Sequence, residues 1–198
     1  MIKDSTTRER LLNVAERLFA EKGVDSVSIR SINTAAQLSP GILHYHFGNK
    51  DTLLEAIIAR RMDEIMIHRE TMINSLDNNA APTTNNVAAI LVTPLASFAC
   101  NNKQSGLWYL KLVASLHSNK SQILSDVSQR YQDRVLNPLQ HALEASCSHL
   151  PAKQLALRLS FATSALLQSA CDWSLDEAEL DLQAAQLITF IAAGLSAK

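Results

Sequence analysis

SIRSINTAAQLSPGILHYHFGNK, running from Ser28 to Lys50, has the spacing of a short helix, a tight turn, a second short helix and the start of a third. Ile29, Ile32, Ala35, Ala36, Leu38, Leu43 and Phe47 give it an apolar face on which two short helices pack against a support. Between these anchors lies Leu38-Ser39-Pro40-Gly41, where Ser39 suits the cap of the second helix and Pro40 its first turn. The residues left pointing outward include Ser28, Arg30, Ser39, His44, Tyr45, His46 and Lys50, all able to bond phosphates or base edges. Such a unit presents one helix end to the DNA major groove.

The flanks extend the pattern. Thr6 and Glu9 have capping-box spacing, and Leu11, Leu12, Ala15, Leu18 and Phe19 follow at helical period, predicting a first helix that ends near Lys22 and stops at Gly23. After Asn49, a suitable cap, Leu53, Leu54, Ile57, Ile58, Met62, Ile65 and Met66 continue as a long fourth helix.

The segment resembles the DNA-binding domain of the TetR family of bacterial transcriptional regulators. The matching residues are Ser28, Ile29, Arg30, Ile32, Ala36, Leu38, Ser39, Gly41, Leu43, His46, Phe47 and Lys50. Three positions depart from the family pattern: Asn33 replaces a small Ala, Gln37 a Gly at the turn, and His44 a Tyr. The resemblance implies an all-α chain with a three-helix DNA-binding head at residues 1–48 and a larger helical regulatory and dimerisation body at 49–198, about nine helices in all. It also implies a fourth helix joining head to body, dimerisation through the last two helices, and a small-molecule pocket enclosed by the fourth to eighth helices. Occupancy of that pocket would move the fourth helix and spread the two heads.

Length and composition suit this division. A chain of 198 residues with 47% hydrophobic content has room for a small head and a larger body. The net charge is −1, yet residues 1–61 carry nine Lys and Arg against seven acids, leaving the remainder at −3. A mildly basic head meets phosphates and an acidic body avoids them, so affinity for DNA is expected to fall with salt. The polar N-terminus has no signal-peptide core, and no apolar run approaches the roughly 20 residues needed to span a bilayer, so a cytoplasmic protein is expected. Cys100, Cys147 and Cys171 have no metal or disulfide spacing and read as small core-filling thiols, with a Cys147–Cys171 redox switch as the alternative.

Past the fourth helix, a polar loop at 77–86 is followed by a helix over about 87–100 that Pro94 should kink, a break at 101–106, and a helix over 107–116. A long seventh helix then carries Ile123, Leu124, Val127, Tyr131, Val135, Leu139 and Leu143, with a bend or boundary at Pro138. Leu150-Pro151 opens helix eight, and Asp176, Glu177 and Glu179 make an acidic first turn for helix nine.

Helices eight and nine are apolar on more than one side. Leu155, Leu159, Ala162 and Leu166 form one stripe, widened by Leu157, Phe161, Ala165 and Leu167, while Leu187, Ile188 and Ile191 form another in helix nine. One partner of these faces is the chain's own body and the other the same helices of a second copy; burial within one chain is the alternative. The stripe residues Leu155, Leu159, Ala162, Leu166, Leu187, Ile188 and Ile191 are the expected dimerisation contacts. A twofold dimer would read an inverted-repeat operator in double-stranded DNA, with half-sites about one helical turn, ~34 Å, or somewhat further apart. Arg30, Pro40, Gly41, Ile42, His44 and Tyr45 are assigned to bases, and Ser28, Ser39, His46 and Lys50 to phosphates.

For the effector, Met62, Met66, Phe98, Trp108, Leu112, His117 and Tyr131 would make an apolar, aromatic lining in the region the resemblance indicates, although each is equally readable as core. No cofactor or metal is implied. The six histidines match no metal motif and no nucleophile elbow occurs, so catalysis is not expected. The function expected is a repressor released from its operator by a small apolar or aromatic ligand. The alternative is a DNA binder of the same type with no small-molecule inducer, governed by a protein partner or acting as a structural factor on DNA.

Overall fold

A computed structural model describes residues 2–76 and 80–197. Residues 77–79 of the expected polar loop lie outside the described residues. Nine α-helices follow in order: α1 (Ile2–Lys22), α2 (Ile29–Ala35), α3 (Ile42–Phe47), α4 (Lys50–Asn74), α5 (Thr84–Ser118), α6 (Gln122–Gln129), α7 (Asn137–Ser146), α8 (Ala152–Ala170) and α9 (Glu177–Ser196). One π-helical turn, Gln132–Leu136, links α6 to α7, and no strand occurs among the described residues.

The helix ends follow local chemistry. Asn49 caps α4 by accepting from the Thr52 amide at 2.8 Å, and Asp176 caps α9 by accepting from the Glu179 amide at 3.0 Å. α1 ends at Gly23, whose φ of +79° lies in the left-handed region that glycine enters at no steric cost. Its start differs from expectation: α1 already begins at Ile2, so Thr6 lies inside the helix and is not its cap.

α5 continues through Pro94. Proline removes the amide that would reach Ile90 O, and the buried Arg69 of α4 fills the gap, its Nε donating to Ile90 O and its Nη2 to Leu91 O, both at 3.2 Å. Burial lowers the Arg69 guanidinium to about 10, which still leaves it charged at neutral pH. The break expected at 101–106 falls on one residue, Lys103, whose φ of 51° and ψ of −132° are non-helical and divide α5 into two helical halves. The expected long seventh helix divides into α6, the π turn and α7, with Pro138 in the first turn of α7, where its missing N–H costs nothing.

The apolar side chains gather in two clusters. One joins α5, α7, α8 and α9 around Phe98, Tyr109, Leu110, Trp173 and Ile191. The other fills the head from Leu11, Phe19, Ile32, Leu43 and Phe47 and continues along α4 through Ile57 and Met66 to Leu112, Val127, Tyr131 and Val135. The head therefore shares its core with α4 and the middle of the chain.

A buried charge cluster pins α1 to this frame. The Glu16 carboxylate, almost fully buried, accepts from Arg60 at 2.8 Å and from Arg61 at 3.0 Å, and Arg60 also reaches Glu9 and Asn13 at 2.7 and 2.9 Å. Arg61 goes on to Asn102 Oδ1 at 2.8 Å, one residue before the α5 kink, and Asn102 Nδ2 donates to Glu64. Three helices are thus tied through one carboxylate. All three cysteines are free, Cys147 buried and the others half-buried.

Candidate nucleic-acid interface and body groove

The turn between α2 and α3 decides how the head presents its edge. Ser28 caps α2, its Oγ accepting from the Ser31 amide at 3.1 Å while Ser31 Oγ accepts from the Ser28 amide at 3.1 Å. At the other end Leu38 N donates to Asn33 O at 2.9 Å and Gln37 N to Thr34 O at 3.0 Å, the crossed pair that closes a helix when the residue after the cap turns left-handed. Gln37, with φ 55°, takes that conformation in a place usually filled by glycine. Because its side chain is exposed, Gln37→Gly is expected to raise stability by about 1 kcal/mol. In a chain of this size that is roughly 2–4 °C in a thermal unfolding experiment, and an unchanged or lowered Tm would show that the corner carries no strain.

Ser39 does not cap α3, contrary to expectation. The cap position is Gly41 at φ +97°, with no side-chain bond, and the orphan Leu43 amide is satisfied from α2 by Asn33 Oδ1 at 3.3 Å. The buried Asn33 therefore locks α3 against α2, so this departure from the usual small residue tightens the corner. Lys50 is engaged within the head: its Nζ donates to Val24 O at 3.0 Å and Val27 O at 3.3 Å, so it clasps the α1–α2 loop. Arg8 of α1 lies 5.1 Å over the Phe47 ring and closes the head from behind.

What remains outward is a contiguous edge. Ser28, Arg30, Ser39, Pro40, Gly41, His44 and Tyr45 are exposed, and Tyr45, at 77% exposure, is the most exposed large hydrophobic side chain among the described residues. Ile42 is half-buried and packs on the head core, and His46 is half-buried with its ring edge-on to Tyr45 at 5.1 Å. The arrangement offers hydrogen-bond donors and acceptors along one helix end, backed by a rigid support, which is what groove reading requires.

In the body, the expected effector residues do not line one cavity. Met62, Met66, Phe98, Leu112 and Tyr131 are buried in packed clusters, and the Phe98 and Tyr109 rings stack edge to face at 5.3 Å. Trp108 is half-buried beside the polar Glu16–Arg61 cluster and His117 is exposed. The Tyr131 hydroxyl donates to Asp63 of α4 at 2.6 Å, and burial together with that carboxylate pushes its pKa up to about 12.

A groove of about 560 Å3 opens elsewhere, between α5, α7 and α8. Leu91, Leu143, Cys147 and Leu155 form its buried wall, while Gln132, Gln140, Glu144 and Ser148 stand exposed at its rim. Gln132 and Leu136 of its lining belong to the π turn. The far side of the same stretch is fastened to α4: Tyr131 to Asp63, Arg134 to Glu70 and Arg130 to Glu55. Arg134 also holds the Glu70 carboxyl below its ordinary value.

The expected dimerisation stripe is divided differently by the fold. Leu155, Ala162, Leu166, Leu187 and Ile191 are buried in the chain's own core, and Leu159 and Ile188 are half-buried against it. The opposite faces of the same helices carry Leu157 and Phe161 on α8 and Leu182 and Phe190 on α9, all exposed, the two phenylalanines at 67%. These four residues are exposed where the expected stripe is largely covered by the chain's own core. Helical periodicity marks both faces as apolar; only packing says which one is used up.

Comparison with known proteins bears on both halves. A family profile described as "Bacterial regulatory proteins, tetR family" matches residues 11–57, and one described as "Tetracyclin repressor-like, C-terminal domain" matches residues 89–194. The transcriptional regulator UidR of Escherichia coli K12 is 38% identical over 60 residues, which cover 30% of this chain and 31% of UidR, so the match spans under a third of that relative's length. Among solved structures, GusR of Salmonella enterica superposes with a TM-score of 0.55 at 20% identity, covering 97% of this chain and 96% of that one. FadR of Bacillus subtilis, solved in complex with stearoyl-CoA, gives 0.62 at 14% identity over 94% and 98%. At these identities the likeness is one of fold.

Proposed function

Because this chain belongs to the TetR family of DNA-binding transcriptional regulators, we propose that it works as a homodimeric repressor of an inverted-repeat operator, released when a small molecule enters the body. The observation that carries the reading is the outward edge of the clamped α2–α3 corner, where Arg30, Pro40, Gly41, His44 and Tyr45 stand exposed while Asn33 and Lys50 are engaged within the head. Base assignments are kept for those five and for Ile42, and phosphate assignments for Ser28, Ser39 and His46. Lys50 is withdrawn. The body is the expected effector domain, with residues 1–48 acting as the reading head and 49–198 as its controller. A role on DNA supports a cytoplasmic location; no helix among the described residues is long and apolar enough to cross a membrane.

Homodimerisation is supported by the exposed Leu157, Phe161, Leu182 and Phe190, since an apolar patch of this kind is costly to leave in water. Two copies meeting through α8 and α9 form a twofold four-helix interface and set two heads on one face of the duplex. Release is supported by the π turn, which borders the groove on one side and is bonded to α4 on the other. Displacing that turn pulls on Asp63, Glu70 and Glu55, which share one face of α4, the helix that carries the head. An effector must favour the splayed state by ~10⁴-fold to take it from rare to dominant.

Selection of bound sites from random DNA by the full chain tests the reading, with an inverted repeat as the expected product. Arg30→Ala is expected to cost about 1–3 kcal/mol on the selected site and to relax preference at one base pair. Equal weakening on every sequence would make Arg30 a phosphate contact, and selection of sites without twofold symmetry would defeat the dimeric reading.

A further inference from the structure

The groove between α5, α7 and α8 has a chemical signature that narrows what it holds. Its wall is aliphatic, built from leucines and from Val87, and among the described residues that line it none is aromatic. Flat aromatic ligands are therefore offered no stacking partner. The lining also contains no lysine, arginine or histidine; its only ionisable side chains are Glu144, on the rim, and the buried Cys147 thiol. Glu144 Oε1 accepts from Gln140 Nε2 at 2.9 Å, so the amide steadies the carboxylate without neutralising it. Gln132 and Ser148 complete a rim of neutral hydrogen-bonding groups. Its volume, about 560 Å3, lies within the range of small-molecule pockets.

We propose that this groove binds an aliphatic ligand whose polar end is a protonated amine, the hydrocarbon lying along the leucine wall and the ammonium donating to Glu144 and to the rim oxygens. The proposal rests on the reading of the body as an effector domain and names the ligand class for it. An anionic head, whether carboxylate or phosphate, would meet Glu144 with no cation to offset the repulsion. A quaternary ammonium would lack both the donors the rim calls for and the aromatic faces such cations use elsewhere. Hydrogen bonds donated by the ammonium to a held carboxylate supply both strength and selection for the amine.

The test is calorimetric titration of the full-length protein with octylamine, octanol and octanoate, each below its aggregation concentration. Octylamine is expected to bind at least about tenfold more tightly than octanoate, the difference a hydrogen-bonded charge provides. Glu144→Gln should erase that difference, and Ala156→Trp, which fills the groove from an exposed lining position, should remove binding of all three. Octanoate binding as tightly as octylamine, amine binding unchanged in Glu144→Gln, or no binding of any of the three would overturn the proposal. Operator binding by the ligand-free wild type and variants is measured alongside. Its retention while the amine fails refutes this ligand class alone, whereas its absence in the wild type refutes the regulatory reading itself.

Discussion

Phe161→Glu combined with Phe190→Glu is expected to convert the protein to monomers and to lower affinity for its inverted-repeat site by at least about 100-fold. Both side chains are exposed in the single chain, so their replacement should leave folding stability within about 0.5 kcal/mol. In a twofold interface each substitution occurs twice, and the four carboxylates face each other across a dry surface, where like charges cost several kcal/mol. Loss of the dimer removes the second head, and with it the coupling of two half-site contacts that makes a short site selective. Leu155→Ala and Ile191→Ala are the contrast. These side chains are buried in the chain's own core, and their truncation should cost about 2–5 kcal/mol of folding stability while leaving any surviving folded protein dimeric. Sedimentation velocity and urea unfolding on the two sets separate the outcomes. A dimer that survives Phe161→Glu with Phe190→Glu would move the interface away from this face.

The second large effect is expected at Glu16. Its carboxylate is 1% exposed and is the shared acceptor for Arg60 and Arg61, each largely covered. Truncation to alanine leaves two guanidinium groups facing one another over an apolar floor, with Arg61 also lying 5.9 Å over the Phe98 ring. Removing one member of a buried charge cluster costs about 3–5 kcal/mol, because the remaining charges lose their compensation while keeping their burial. The lower end applies here, since Arg60 retains Glu9 and Asn13, and Arg61 retains Asn102. Urea unfolding should show a loss of about 3 kcal/mol with an unchanged slope, and a loss below 0.5 kcal/mol would mean the cluster is solvated in practice. Glu16→Gln keeps one acceptor and should fall between the two.

Both effects come from residues whose letters carry a partial signal. Glu16 sits among Leu12, Ala15 and Phe19 on the side of α1 that turns inward, and an acid on an apolar face announces a buried partner without naming it. Arg60 and Arg61 lie 44 and 45 positions away along the chain. Phe161 and Phe190 stand in helices with two apolar faces, and periodicity alone does not say which face the body consumes. The same gap explains the effector residues: large side chains at helical spacing read as a lining, yet Phe98, Leu112 and Tyr131 are buried in packed clusters, and a groove opens beside leucines around a π turn. Nothing in the letters announced that turn, because its extra residue satisfies packing between helices distant in sequence.

The sequence by itself determined the elements of this protein: the spacing of Ile32, Leu43 and Phe47, the capping residues Asn49 and Asp176, and the glycines at the corners act within a turn or two of their own positions. Those interactions are short in range, so their outcome is written locally. Tertiary structure alone decided which apolar face is spent inside, that Asn33 and Lys50 bond within the head, and where the body leaves a groove. Each of these depends on which distant side chains compete for the same space and the same hydrogen bonds, and that competition is resolved only when the helices pack.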